Sequence, residues 1–262
     1  MNHSRRPEWK RHFNILYVLA SMHMRSNDYR TFLGALWSLL GPLITFSVLY
    51  FVTIENFGHG VTLFSLKLLV GVVALNFFNA VVQILMTAVR QSREIAVDCL
   101  VPSEIFIAAP LVVPLTKFCV EMGLCLVVAF AMGALRAANI PLILVTGFFF
   151  CVMASGLALI LGVLNFLAAD VNEIWVRFES LILVITPVFY TVSSLPPVAR
   201  NLVLWLNPTT PFVLTLQALA SNDAVPGLGI SLVIRGIVYS FLFLGAGYAL
   251  LKKFEKQILE IV

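Results

Sequence analysis

The chain has 262 residues, of which 60% are apolar and 11% are charged, and its mean hydropathy is +0.99. A soluble domain usually carries about a quarter charged residues, so this composition excludes an ordinary water-soluble globule and indicates that lipid surrounds most of the chain. The net charge is +4, but the basic residues gather near both ends, which is typical of contact with an anionic membrane face and does not indicate a nucleic-acid partner.

The chain begins with a basic amphipathic segment over residues 1–31. On a helix drawn at about 100° per residue, apolar residues share one face and basic residues the opposite face; the apolar set includes Trp9, Phe13, Leu16, Tyr17 and Ala20, and the basic set includes Lys10, Arg11 and Arg25. This pattern predicts a cytoplasmic helix that lies in the membrane interface.

Six apolar runs follow within residues 32–262. They are Phe32–Ile54, Ser65–Val89, Ile105–Gly133, Pro141–Leu167, Ile174–Val192 and Leu232–Leu251. Each offers roughly the 20 residues that cross about 30 Å of hydrocarbon. Because lipid cannot hydrogen-bond to a bare backbone, such runs are helical. The sequence therefore predicts an all-α integral membrane protein with six transmembrane helices.

Loop charge predicts the orientation. With both termini inside, the cytoplasmic basic residues are Arg5, Arg6, Lys10, Arg11, Arg25, Arg30, Arg90, Arg93, Arg177, Lys252, Lys253 and Lys256, and the outer ones are Lys67, Arg136, Arg200 and Arg235. Twelve against four is a clear positive-inside bias. We expect a multi-pass protein with both termini in the cytoplasm.

The segment 193–226, between the fifth and sixth runs, is broken by prolines yet largely apolar. It contains Pro196, Pro197, Pro208, Pro211 and Pro226. Short helices that re-enter the outer leaflet fit this composition, because irregular backbone in the membrane must be covered by protein or water. A loop packed on the outer surface remains the alternative.

Four short motifs and a charged tail carry a resemblance to a known family. They are Asp28–Pro42 (DYRTFLGALWSLLGP), Thr186–Tyr190 (TPVFY), Leu195-Pro196, Leu206–Pro211 (LNPTTP) and the tail Lys252–Glu260. In this order they resemble permeases of polysaccharide ABC exporters, the type-2 ABC transporter family of O-antigen (Wzm-like), group 2 capsule and teichoic acid export. One departure is Ala169-Asp170, where family members often carry Arg-Asp.

The resemblance implies the permease subunit of an exporter that moves lipid-linked (undecaprenyl-pyrophosphate type) O-antigen or a related polysaccharide across the bacterial inner membrane. It implies a homodimer with two copies of a separate ATPase subunit. No Gly-x-x-x-x-Gly-Lys-Ser/Thr motif occurs, so ATP and magnesium are expected on the partner and no cofactor or metal on this chain. The alternatives are an ABC permease for capsule, teichoic acid, lipid or drug, and a non-ABC secondary transporter.

The longest mixed-charge segment between the runs on the cytoplasmic side is Arg90–Glu104. In the family this position carries a short coupling helix that docks on the ATPase. The candidate coupling residues are Glu94, Asp98, Leu100 and Pro102. A solvated turn is the alternative.

Two groups of ionisable residues lie at the membrane runs. Lys117 and Glu121 are four residues apart and share a helix face, so they either pair among the helices or line a polar route for sugar. A second group lies at the start of the fifth run and forms either an ion pair at the helix start or a cytoplasmic gate. One further gate candidate precedes the first run. These gate candidates are Arg30, Asp170, Glu173 and Arg177.

Aromatic residues are abundant, with 21 Phe, 6 Tyr and 4 Trp. Sugar rings stack on aromatic faces, so a polysaccharide conduit is expected to use some of them. The candidates are Trp37, Phe46, Tyr50, Phe189 and Tyr190. Packing against lipid or other helices is the alternative for each.

Overall fold

A computed structural model describes residues 14–23, 40, 43–44, 47–48, 51, 62–96, 103–223 and 229–259, although not every side chain within them. Most of the predicted interface helix and of the predicted first span therefore lies outside the described residues. Within these ranges the chain is helical and has no strand, which confirms the all-α prediction for this part.

Nine helices have described bounds, and the separately described residues 40, 43–44, 47–48 and 51 are helical as well. The nine are α1 (14–23), α2 (Thr62–Ala96), α3 (Ser103–Ala108), α4 (Val112–Ala131), α5 (Ile140–Leu167), α6 (Asp170–Ile185), α7 (Pro197–Leu206), α8 (Thr210–Ser221) and α9 (Gly229–Leu259). Short 3-10 turns lie at Ala109–Leu111, Ala137–Asn139 and Val192–Ser194.

Four of the described helical stretches are long and apolar enough to cross a membrane: Leu63–Arg90, Ala109–Ala131, Ala137–Leu167 and Gly229–Glu255. They correspond to the predicted second, third, fourth and sixth spans. A fifth is possible if α7 and α8, which are bent by 97°, count as one broken span. The total of six spans stays a prediction, because the first lies mostly outside the described residues.

The predicted fifth span, Ile174–Val192, needs correction. Helix α6 begins at Asp170 and ends at Ile185, and Thr186 is extended with φ −74° and ψ 134°. The residue before a proline avoids helical backbone, and Pro187 follows. Sixteen residues reach about 24 Å, which is short of a full hydrocarbon crossing. The prediction of a helix that continues to Val192 is therefore wrong.

Side-chain contacts fix the helix directions. Ser240 Oγ donates a hydrogen bond to Phe149 O (2.7 Å), and Gly247 lies against Gly156 and Leu159, so residue numbers rise in the same direction along α5 and α9. Because α5 and α9 are parallel, the chain must return to the starting end of the bundle between them. Helix α6, which runs antiparallel to α2, and the residues after it supply that return.

Helix α2 lies at the centre of the described core. Its side chains are buried without a break from Leu68 to Leu75, so other helices cover it on all sides there. Aromatic rings from five helices then meet around it. The contacts, by ring-centroid distance, are Phe77–Phe118 at 4.2 Å, Phe78–Phe150 at 5.8 Å, Phe78–Trp175 at 6.1 Å and Phe150–Phe212 at 4.9 Å. These rings connect α4, α5 and α6 to α2 directly, and α8 through Phe150.

Candidate functional site

Helices α7 and α8 meet at a sharp bend and differ in burial. Helix α8 is buried over most of its length, whereas α7 exposes Val198, Leu202 and Trp205. The two helices are bent by 97°, and Pro208 lies between them. This arrangement is compatible with the predicted re-entrant segment 193–226, and the bend brings α8 against the end of α2 that carries Lys67, called here the Lys67 end.

A buried polar network joins this bend to the end of α6. Asn207 donates to Thr186 Oγ1 (2.9 Å) and its Oδ1 accepts from Thr209 Oγ1 (2.7 Å) and Thr209 N (3.0 Å). The hydroxyls of Thr186 and Thr209 lie 3.0 Å apart. Because both threonines are buried, the network supplies the partners that their hydroxyls need. It holds the bend against the chain that leaves α6.

The space between these elements is a cavity of about 450 Å³. That volume lies in the usual range for small-molecule sites. It is lined by the Lys67 end of α2, by the irregular chain 187–191 and the 3-10 turn that follows it, by α7 and by α8. The lining residues are Phe64, Lys67, Pro187, Val188, Tyr190, Thr191, Val192, Ser193, Arg200, Leu214, Gln217, Ala218 and Asp223.

The polar side chains of the cavity are mostly engaged with the protein. Lys67 forms an ion pair with Asp223, and Gln217 Nε2 donates to Lys67 O (2.9 Å). Arg200 donates from Nε to Val192 O (3.2 Å) and from Nη2 to Ser193 O (3.0 Å). The guanidinium therefore holds the 3-10 turn Val192–Ser194, which forms part of one wall. These groups can bind and orient a polar ligand, and in the described part of the chain no three His, Cys, Asp or Glu residues converge as a metal site requires.

The two predicted aromatic candidates after α6 have different surroundings. Tyr190 lines the cavity, and its hydroxyl donates to Ile185 O (2.5 Å). Phe189 packs against the main hydrophobic core. Only Tyr190 of this pair therefore lies where a ligand could touch its ring.

Lys117 and Glu121 lie one turn apart on α4, as predicted. Lys117 is exposed, whereas Glu121 is buried at 8% exposure. No ion pair within 4.0 Å joins them. Their placement leaves both interpretations open, the intrahelical pair and the polar route.

The predicted gate residues of α6 are brought to its first two turns. Asp170, Glu173 and Arg177 are all exposed, and the two acids lie in the first turn, where the helix dipole favours negative charge. No ion pair within 4.0 Å joins Glu173 to Arg177. The three residues therefore lie at the same end of α6, and the predicted ion pair between Glu173 and Arg177 is not formed.

The remaining predicted site residues cannot be placed. Glu94 belongs to the last turns of α2, but its side chain is not described. The other predictions fall on residues outside the described ranges. They are Arg30, Trp37, Phe46, Tyr50, Asp98, Leu100 and Pro102.

Sequence reasoning missed the groups that build the cavity. Lys67 and Arg200 were counted only as outer charges, and Gln217 and Asp223 carried no pattern that would mark them. A signal did exist for the polar network, because Thr186, Asn207 and Thr209 all fall within the quoted motifs. Proline neighbours in both motifs indicated turns, and buried turns need such side-chain partners.

Comparison with known proteins finds a distant relative of this chain. No family model matches the chain. The O-antigen export system permease protein RfbA of Myxococcus xanthus is 24% identical over 213 residues, which cover 81% of this chain and 82% of that protein. This finding confirms the resemblance to O-antigen exporter permeases that the motifs predicted, and it supports the type-2 ABC permease family.

Proposed function

We propose that this chain is the transmembrane permease subunit of an ATP-driven ABC exporter that moves lipid-linked O-antigen, or a related polysaccharide, across the bacterial inner membrane. The observation that carries this proposal is the similarity to an O-antigen export permease over four-fifths of both chains. A match of that extent includes the membrane helices together with the segments between them, so it is not an effect of shared apolar composition in one span.

The distribution of basic residues along the described helices supports cytoplasmic termini. Lys67 and Arg200 line the same cavity, and Arg235 Nη1 donates to Leu204 O (3.0 Å) on α7, so these predicted outer residues share one end of the bundle. Arg90 and Lys252 lie at the far ends of α2 and α9. Phe78 stacks on Phe150 and Val89 lies against Gly162, so α2 runs in the same direction as α5 and α9. The two sets are therefore separated along the bundle axis, as the positive-inside rule requires.

The energy for export would come from two copies of a separate ATPase, which hold ATP and magnesium, bound to a homodimer of this chain. The segment 90–104 is the proposed contact. Helix α2 continues to Ala96 without a break, so a force applied beyond it would act directly on the central helix of the core. Glu94, Asp98, Leu100 and Pro102 remain the proposed coupling residues.

The cavity at the Lys67 end suits a sugar residue. It offers the Tyr190 ring for stacking and the hydroxyl-rich chain 191–193 for hydrogen bonds. Under the proposed orientation it opens at the outer side, where a polymer leaves the permease. Repeated weak contacts suit a moving polymer, since one tight site would hold it.

Complementation tests the function. The chain and its proposed ATPase partner are expressed in a bacterium that lacks its own O-antigen permease. Surface polysaccharide is measured, and co-purification of the ATPase with the chain is tested. The expected result is restored export that disappears when the ATPase lysine of the phosphate-binding loop is replaced. Co-purification of no ATPase would contradict the ABC assignment, and export of a drug or lipid without glycan would favour the other permease classes.

A further inference from the structure

Helix α2 changes character in its middle. From Leu68 to Leu75 every residue is buried, and from Asn76 onward one face carries a polar or charged side chain at almost every turn. We call the neutral part of this face the amide stripe: Asn76, Asn79, Gln83 and Thr87. At 100° per residue these four positions lie within about 80° of one another, so they form one line along the helix. The line is about 16 Å long and continues to Arg90.

The amide stripe borders α6. Gln83 Nε2 donates to Asn172 Oδ1 (3.2 Å), and Asn79 lies beside Glu179. On the opposite edge of the stripe, Asn76 and Thr87 are exposed. The Thr87 hydroxyl donates to Gln83 O of its own helix (2.8 Å), so the three amides supply the unused hydrogen-bonding groups. The stripe therefore lies at the edge of the α2–α6 contact, with one side in that contact and the other side open among the described residues.

The hydrogen-bonding capacity of this region is only partly used. Asn79 Oδ1, Gln83 Oε1 and Trp175 Nε1 are shielded from solvent and have no hydrogen-bond partner among the described residues. A side-chain amide offers two donors and an acceptor with two lone pairs, so each of these residues retains unused positions. An unmade bond in a buried site costs about 1–3 kcal/mol. A half-satisfied polar line in a membrane helix is unfavourable unless something else completes it.

We propose that the hydroxyl groups of the glycan bind the open edge of the amide stripe and that the Asn79 and Gln83 amides turn toward them to complete their bonding, so that α2 forms a hydrogen-bonding wall along which the polysaccharide passes. This inference rests on the proposed function and names the surface that would contact the polymer. Sugar hydroxyls donate and accept, as amides do, and therefore match a line of neutral side chains that carries both kinds of group. Three neutral amides in succession favour hydrogen bonding over charge as the means of recognition.

Two other occupants of the stripe give different chemistry. A second copy of the chain would have to present a matching polar face. Replacing the stripe residues by leucine would then break the contact between the two copies. The predicted first span is mostly apolar, and its described hydroxyl, that of Ser47, is already bonded to Leu43 O of the same helix (2.7 Å). A polymer with many hydroxyls supplies partners to the whole line at once.

Thiol accessibility is the first test. In a chain whose four cysteines are replaced by alanine, Asn76→Cys and Gln83→Cys are exposed to a charged, water-soluble methanethiosulfonate in permeabilised membranes. The matched control is Val127→Cys on α4, because the Val127 side chain is apolar and 65% exposed. We expect modification of both stripe positions at least tenfold faster than at the control. Equal rates would overturn the proposal, because a glycan path must admit water.

Export is the second test, in the complementation strain with the ATPase present. The triple variant Asn76→Leu, Asn79→Leu, Gln83→Leu should reduce surface polysaccharide at least fivefold while the ATPase still co-purifies. Thr146→Leu is the matched control, since the Thr146 hydroxyl is bonded to Leu142 O of its own helix. The more conservative Asn79→Ser and Gln83→Asn should retain most export.

The outcomes separate the two proposals. Wild-type chain that restores no export contradicts the proposed function, whatever the stripe does. Wild-type export together with full export by the triple leucine variant contradicts the glycan wall alone. Loss of the dimer in the triple variant, with Asn76→Cys unreactive, would assign the stripe to a subunit contact and would also overturn the wall.

Discussion

Two helix contacts in this protein are built in opposite ways. Between α5 and α9 the backbones touch: a Cβ on Gly156 would lie 2.3 Å from Leu244 N, and one on Gly247 would lie 2.3 Å from Gly156 O. Between α2 and α6 the contact uses long polar side chains and leaves buried polar atoms without partners. Small residues permit close packing in lipid, where no hydrophobic force drives helices together. The first contact is complete in the single chain, and the second is not.

This difference indicates which parts of the molecule are fixed and which interact with something else. A dense backbone contact loses stability with any added volume. A polar contact with unpartnered atoms loses little stability when its residues are made apolar. The same change removes the binding of any ligand that uses those atoms. Stability and transport should therefore respond separately to substitutions at the two contacts.

The largest effect is expected for Gly156→Leu. The added side chain would meet the backbone of α9, which cannot move aside as a flexible side chain can. We expect a loss of about 3 kcal/mol or more, seen as little folded protein in the membrane and a lower melting temperature in detergent. Gly245→Leu is the matched control on α9, because nothing lies within 4 Å of its Cβ position. Similar yields of the two variants would contradict the close contact.

A smaller loss is expected for Asn207→Leu, which removes the centre of the satisfied polar network. Thr186 and Thr209 are buried and would lose their bonds to the amide, at a cost of about 1–3 kcal/mol. Asn207→Asp keeps an acceptor for Thr209 and loses the donor to Thr186, so its melting temperature should lie between that of wild type and Asn207→Leu. An unchanged melting temperature in both variants would show that the network does not stabilise the bend.

Gln83→Leu should separate stability from transport. It removes one long hydrogen bond to Asn172 together with the cost of an unpartnered buried oxygen, so the melting temperature should change by less than the equivalent of about 1 kcal/mol. Export should nevertheless fall. The contrast with Asn207→Leu in paired melting and export assays is the measurement, and a large loss of stability here would mean that the α2–α6 contact resembles the satisfied network.

The smallest effect is expected at the Lys67 end. The ion pair of Lys67 with Asp223 is partly exposed, with side chains at 29% and 52%, and such pairs contribute about 0–1 kcal/mol. Lys67→Gln and Asp223→Asn, singly and together, should each shift the melting temperature slightly, and the difference should shrink at high salt. A non-additive loss well above 1 kcal/mol in the double-mutant cycle would contradict a surface pair.

The long apolar helices could be predicted because lipid imposes a simple requirement on length and composition. Four of the predicted runs correspond to described helices within a few residues. The end of α6 was misplaced because apolar composition continues through Val188 and Phe189, whereas Pro187 decides the backbone. Hydropathy is averaged over many residues, so it does not register the effect of a single proline on the backbone.

Most of the site could not be predicted, because its residues come together only through the fold. Lys67 and Asp223 are 156 positions apart, and Asn79 meets Glu179 across two helices. The stripe itself is readable in the sequence as polar residues at helical spacing within a predicted span. What the sequence did not reveal is that this face opens where the buried stretch of α2 ends, and burial of that kind depends on the neighbouring helices.

The length of helix α9 lets a movement at one end act at the other. It is one helix of 31 residues, about 46 Å long, and it touches α7 at one end, where the Arg235 guanidinium lies 4.6 Å from the centre of the Trp205 ring. Its other end carries the charged tail. A tilt of α9 about the contact of Gly247 with Gly156 would act on Arg235 over a distance of about 18 Å. A tilt of about 5° would move Arg235 by roughly 1.5 Å, enough to break its 3.0 Å hydrogen bond to Leu204 O. Motion at the tail would thereby release α7 at the opposite end.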